Sequence, residues 1–203
     1  DPRGIEKLKR NSIYALCADT NGVLWIEFER DGLGRLEKGA YRHYTEKDGL
    51  ASDSVRALCR STDGSLWVAT TNGVTRFYSG KLETYRREDG LPHEVVRSIG
   101  EDSDGNIWRG TSAEATVASM VQGKVQEFVK RPDLPGTLRA ICRDGENNLW
   151  LGSFAGLVGT GPGRKHIYSD KNGLTDNKVV SLFWDRRGAL WIGCYGGLSR
   201  LVK

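Results

Sequence analysis

The sequence is poor in several things, and each shortage narrows what its 203 residues can be. No apolar run reaches the roughly 18 residues of a membrane-spanning helix, so no direct membrane span is expected. No stretch of eleven or more residues holds a 3.6-residue apolar period, which argues against a helical domain. Proline is scarce, at 5 residues against 26 glycines, and that balance points to many tight turns between short strands. Neither sign of charge dominates: 30 basic and 26 acidic residues leave a formal +4. The small clusters at Lys7, Lys9, Arg10 and at Arg86, Arg87 fall short of the concentrated basic face that nucleic acid requires. No secretory signal is visible at Asp1-Pro2-Arg3, where the sequence starts without a methionine.

What the sequence does have is a repeat. Five of its six tryptophans stand at 25, 67, 108, 150 and 191, in steps of 42, 41, 42 and 41 residues. A polar turn and an aliphatic residue precede each one, as in Asp63-Gly64-Ser65-Leu66-Trp67, and an apolar residue lies twelve positions earlier (Ile13, Val55, Val96, Leu138, Val179). In the second copy, Val55–Arg60, Leu66–Thr70, Val74–Tyr78 and Lys81–Tyr85 read as four short strands. Asp63-Gly64, Asn72-Gly73 and Ser79-Gly80 join them as hairpins. One four-stranded sheet cannot bury both its faces, so copies must stack, and radial stacking of such sheets is a propeller. The expected fold class is all-β, a β-propeller of four-stranded antiparallel blades, with repeats at about 12–53, 54–94, 95–137, 138–178 and 179–203. It is either a closed five-bladed ring or a fragment of a larger propeller, and residues 1–10 are candidates to close the ring. The five tryptophans are expected to be buried between blades. Trp184 is the odd one, open to either packing or binding. Copies one, three and four depart from the pattern, copy three most plainly at Ser112-Ala113-Glu114-Ala115, where its outer strands are in question. The last copy stops after its third strand.

The motifs Val55-Arg56-Ala57-Leu58, Leu66-Trp67-Val68-Ala69-Thr70, Asp104-Gly105-Asn106-Ile107-Trp108, Leu190-Trp191-Ile192-Gly193 and Gly197-Leu198 resemble the two-component regulator propeller repeat. So do the linkers Asp48-Gly49-Leu50, Asp89-Gly90-Leu91 and Asn172-Gly173-Leu174. The resemblance implies the sensor part of a bacterial membrane-bound signalling protein, periplasmic or otherwise extracytoplasmic, often sensing carbohydrate, with its output domain elsewhere. The expected function is therefore a ligand-sensing or interaction module, not an enzyme, that binds a polar small molecule or saccharide at one propeller face. A homodimer is a further arrangement open to it. The streptogramin-lyase-like propellers, which use a similar Asp-Gly-Asn-Leu-Trp repeat, supply an enzymatic alternative, and a purely structural scaffold is the third.

Among chemical candidates, Arg56, Arg97 and Arg139 share one repeat position, where Tyr14 and Val180 stand in the other copies. On innermost strands they would line a channel mouth and offer forked donors to an anionic or polar ligand; pairing with a neighbouring acid is the plainer alternative. His93 and Asn177 lie in the adjacent linkers, where loops on a rigid frame carry specificity. No metal spacing is present among His43, His93, His166 and the cysteines, and no catalytic residue or cofactor is assigned. Asp102-Ser103-Asp104-Gly105-Asn106 opens like a calcium loop, but Thr111 stands where the closing acid belongs, so a hairpin explains it better. Cys17, Cys59 and Cys142 recur at one position on separate repeats, too far apart to bridge. Small buried apolar roles suit them, and Cys194 also holds a small-residue site.

Overall fold

The computed structural model describes residues 12–18, 22–91, 93–111, 115–121, 124–130, 137–161 and 164–202. The chain divides into two compact units, residues 1–96 and 97–203. The proposal that residues 1–10 close a ring falls outside the described residues.

The first unit holds two antiparallel four-stranded sheets. One is β1 (Ile13–Ala18), β2 (Leu24–Phe28), β3 (Leu33–Glu37) and β4 (Ala40–Tyr44); the other is β5 (Val55–Arg60), β6 (Leu66–Thr70), β7 (Gly73–Tyr78) and β8 (Lys81–Tyr85). The second unit carries three sheets. These are β9 (Val96–Glu101) with β10 (Ile107–Thr111), β11 (Ala115–Val121) and β12 (Lys124–Lys130); then β13 (Leu138–Arg143), β14 (Leu149–Ser153), β15 (Gly156–Gly161) and β16 (Arg164–Tyr168); and last β17 (Val179–Trp184), β18 (Ala189–Cys194) and β19 (Gly197–Val202). Every sheet is a meander in chain order, so the fold class is all-β, with the four-stranded blades of a β-propeller. The outer strands of the third copy form despite its altered turn.

Hairpin chemistry sets the first two strands of each blade. The residue three before the tryptophan takes a positive φ in every copy: Gly22 at 80°, Gly64 at 88°, Gly105 at 81°, Asn147 at 65° and Gly188 at 80°. Asparagine is the side chain that best tolerates this region, so Asn147 can stand where the others need glycine. The polar linkers are built as firmly. Residues 46–48, 87–89 and 170–172 form single 3-10 turns, and each is followed by a glycine and a buried leucine (Leu50, Leu91, Leu174).

The tryptophans pack one blade against the next within each unit. Trp25 joins Leu50, Val55, Leu58 and Phe77, with the Phe77 ring edge-on at 4.9 Å. Trp108 packs with Leu138, Leu149 and Ile141, and Trp150 with Leu174, Val179 and Leu190. A tyrosine closing the fourth strand covers the indole in three blades: Tyr44 on Trp25 at 6.1 Å, Tyr85 on Trp67 at 5.9 Å and Tyr168 on Trp150 at 6.1 Å. Trp191 corrects the expectation of uniform burial. It is only half-buried, because its sheet has three strands among the described residues and no such tyrosine; Arg200 lies over it at 5.1 Å, as Arg35 and Arg76 lie over Trp25 and Trp67 at 5.5 Å. Trp184 proves to be a packing residue, half-buried against the core around Trp150. All four cysteines are free and half-buried, not fully buried as expected: Cys17 and Cys142 border the cores, and the Cys59 thiol reaches the Arg60 carbonyl at 3.7 Å.

Candidate functional site

The frame of the blades consumes much of the polar chemistry. Six residues before the tryptophan, an aspartate organises the hairpin. Asp102 accepts the Asp104 and Asn106 backbone N–H groups on Oδ1 (3.0 and 2.9 Å), and the Asn106 Nδ2 and Trp108 Nε1 donors on Oδ2 (3.0 and 2.7 Å). Asp144 repeats this with Glu146, Asn148 and Trp150. Asp185 does so with Arg187, Ala189 and Trp191, and its bonds from Ala189 and Trp191 hold its carboxyl below the ordinary range. The calcium-like stretch is thus a hairpin lock. The second copy has Ser61 at this position and closes the turn differently. There Asp63 binds Ser65 and the buried Arg76 (2.6 Å); burial opposes its charge, but these bonds prevail and lower its pKa.

Arg56 and Arg139 occupy an unusual place. The register between the first two strands shifts between Val55 and Ala57 and between Leu138 and Ala140, so each arginine is the extra residue of a β-bulge. Tyr14 and Val180 sit at the same irregularity in their sheets. A bulge re-aims its side chain out of the ordinary alternation. Arg56 is exposed, while Arg97 and Arg139 are half-buried. His93 and Asn177 already serve the linkers. His93 Nδ1 accepts the Val95 N–H at 3.2 Å, and Asn177 Oδ1 accepts the Asp170 N–H at 2.9 Å, the same cap that Asp53 gives Glu46 at 2.7 Å. Arg56 and His93 belong to the first unit, Arg97, Arg139 and Asn177 to the second.

Two features escaped the sequence reading. The first is Glu27, two residues after Trp25 on β2, where the other copies have Ala69, Gly110, Gly152 and Gly193. It is 3 % exposed. Burial raises its carboxyl from an ordinary 4.5 to about 7, only partly opposed by the charge of Arg56. The folded state therefore holds this proton more tightly than the unfolded chain does. Stability is greatest below pH 4.5 as far as this group is concerned, and it falls as pH rises through 7. Glu27→Gln should remove a loss of about 2–3 kcal/mol between pH 5 and pH 8. Urea unfolding of both proteins at the two pH values measures it, and parallel behaviour of variant and parent would exclude Glu27 as the cause.

The second is a group of side chains in the second unit. Phe154 and Tyr195, four residues after their tryptophans at the tips of the β14–β15 and β18–β19 turns, meet edge to face at 5.6 Å. Both are exposed, by 39 % and 65 %. The Arg139 guanidinium lies over the Phe154 ring at 4.5 Å, and Lys178 Nζ lies 5.8 Å from the Tyr195 ring. Aligned on the tryptophans, the other copies have Glu29, Thr71 and Ser112 at this sequence position, which exposes the difference.

Among the described residues, no group of three or more His, Cys, Asp or Glu gathers as a metal site, and no helix is long and apolar enough to cross a membrane.

Known structures share the fold. The extracellular domain of BT3049 from B. thetaiotaomicron, described as a hybrid two component system, aligns over 95 % of this chain at 19 % identity and a TM-score of 0.79. The alignment takes in 28 % of that chain, so the present sequence spans little more than a quarter of it. Virginiamycin B lyase from Staphylococcus aureus, in a catalytically inactive form with quinupristin, aligns over 94 % of this chain and 67 % of its own at 18 % identity and a TM-score of 0.74. PorZ, a surface component of the type-IX secretion system of Porphyromonas gingivalis, aligns over 93 % and 32 % at 18 % identity and a TM-score of 0.70. No curated protein matches the chain. At the level of sequence, residues 7–26, 49–72, 90–113 and 173–196 match the family model described as two component regulator propeller. The fourth copy escapes that match yet keeps the Asp144–Trp150 lock. On those four matches, which cover 92 of its 203 residues, the chain carries two component regulator propeller repeats.

Proposed function

We propose that the chain is the sensing or interaction module of a bacterial signalling protein, acting outside the cytoplasmic membrane, and that it binds a polar small molecule or saccharide without turning it over. One observation carries the reading. The aspartate locks recur in the third, fourth and fifth blades, whereas the tips of the β14–β15 and β18–β19 turns bring together Phe154 and Tyr195, which the other copies do not have at the matching sequence positions. A repeated frame with a varied loop side is the arrangement in which a specific site is built. Within the second unit the site draws on Arg97 and Arg139, with Asn177 holding its linker. In the first unit Arg56 holds the repeat position of these arginines, and His93 lies in a linker one residue before the position that matches Asn177.

The test is a calorimetric titration of the chain with a panel of neutral and charged saccharides. Arg97→Ala should weaken the tightest binder by about 1–3 kcal/mol, the range for a lost charged hydrogen bond. Unchanged affinity, or a ligand that maps to the Asp-Gly hairpins, would remove the assignment; no binding by any member of the panel would favour a scaffold.

A further inference from the structure

We infer that Arg139, Phe154, Lys178 and Tyr195 form a subsite for a ring that bears a carboxylate. The inference rests on the binding reading above and names the chemistry of one part of that side. Its starting point is Arg139. The Nε atom is buried and has no hydrogen-bond partner among the described residues, while the guanidinium carbon lies over the Phe154 ring, 4.5 Å from its centre. The ring and the buried Nε hold the head group in place, and its two terminal nitrogens, which are not among the buried atoms, form the fork that two carboxylate oxygens match best.

The rings supply the second half. Phe154 and Tyr195 stand at 62° to one another, forming an exposed corner against which a flat or chair-shaped ring can lie. Aromatic corners also attract cations, but here Arg139 and Lys178 already occupy ring faces, which turns the preference toward an anion. The acid at this place is Asp176. Its Oδ1 accepts the Lys178 backbone N–H at 2.8 Å, and its side chain borders Gly196, so it is committed to the turn and offsets one of the two cations. The repeat does not demand aromatic residues at these positions, since the other copies have Glu29, Thr71 and Ser112 there in sequence.

Glucuronate, benzoate and glucose are the probes, titrated into the 203-residue chain and followed by ligand-observed NMR and calorimetry. Both acids should bind at least tenfold more tightly than glucose. Arg139→Gln and Phe154→Ala should each weaken the acids at least tenfold, with melting temperature as the control for folding. Should Arg139→Gln lower the melting temperature, Phe154→Ala at the exposed tip carries the test alone. The subsite is wrong if the acids bind no better than glucose, or if these substitutions leave their affinity unchanged. A saccharide from the panel that is lost in Arg97→Ala but unaffected by Arg139→Gln and Phe154→Ala would leave the broader reading intact and sink this one.

Discussion

Asp144→Ala is expected to lower the stability of the chain by about 3–4 kcal/mol, the upper part of the range for single substitutions. The side chain is buried and its carboxylate accepts four donors, all between 2.9 and 3.0 Å: the Glu146 and Asn148 backbone N–H groups, Asn148 Nδ2 and Trp150 Nε1. Each hydrogen bond to a charged group contributes roughly 1.5–3 kcal/mol in isolation, but bonds to one acceptor do not add. The larger part of the loss comes from the indole N–H, which stays inside the core beside Leu157, Leu174 and Leu190 without an acceptor. Asp144→Asn should cost less, because it keeps the Oδ1 that serves the two backbone N–H groups and loses the Oδ2 acceptor of Asn148 Nδ2 and Trp150 Nε1. Urea midpoints and slopes for the parent and both variants measure the effect. A loss below about 1 kcal/mol for the alanine variant would mean that the hairpin closes without its aspartate.

Gly110→Ala should cost about 3 kcal/mol, at the upper end of what overpacking usually does. The backbone there is ordinary, so the cause is space alone. A methyl group would overlap the Leu138 carbonyl oxygen, the Leu138 side chain and Ser98 Oγ, and Ser98 Oγ itself donates to that carbonyl at 3.0 Å. A carbonyl oxygen cannot swing aside as a flexible side chain can, so the first strand of the next blade must move as a whole. Gly152→Ala meets only a side chain, Val179 Cγ1 at 2.5 Å, and should cost less. Equal losses in the two variants, or none in Gly110→Ala, would contradict the close approach of β10 and β13.

The five-fold pattern was legible because tryptophan is rare and large, so its spacing stands out and its packing role follows from size. The strands followed from turn residues whose backbone needs are strict. The aspartate lock was not legible for a specific reason: the second copy, which has the cleanest strand pattern, carries Ser61 at that position and closes its turn through Asp63 and Arg76. Reading that copy as the standard hid the acid shared by Asp102, Asp144 and Asp185. Glu27 was missed because alternation along a strand says which way a residue points but not how near the next blade comes. The arginines at the start of the first strands were found, but their bulge position was not, since one extra residue in a register leaves no mark on a sequence. His93 and Asn177 lie in linkers, and the structure adds the backbone groups that hold them there.

The meander order of the sheets bears on how the chain reaches this state. All-β proteins are slow to fold when their strands must find partners far along the chain, because closing a long loop costs entropy before any contact returns it. Here each described strand pairs only with its neighbour in sequence, across a hairpin. A blade can therefore zip from its turns without waiting for distant residues, and in the last three blades the two aspartate-locked strands form a natural starting point. Ordering then advances from one copy to the next, in steps that resemble a short linear array more than a single closing event.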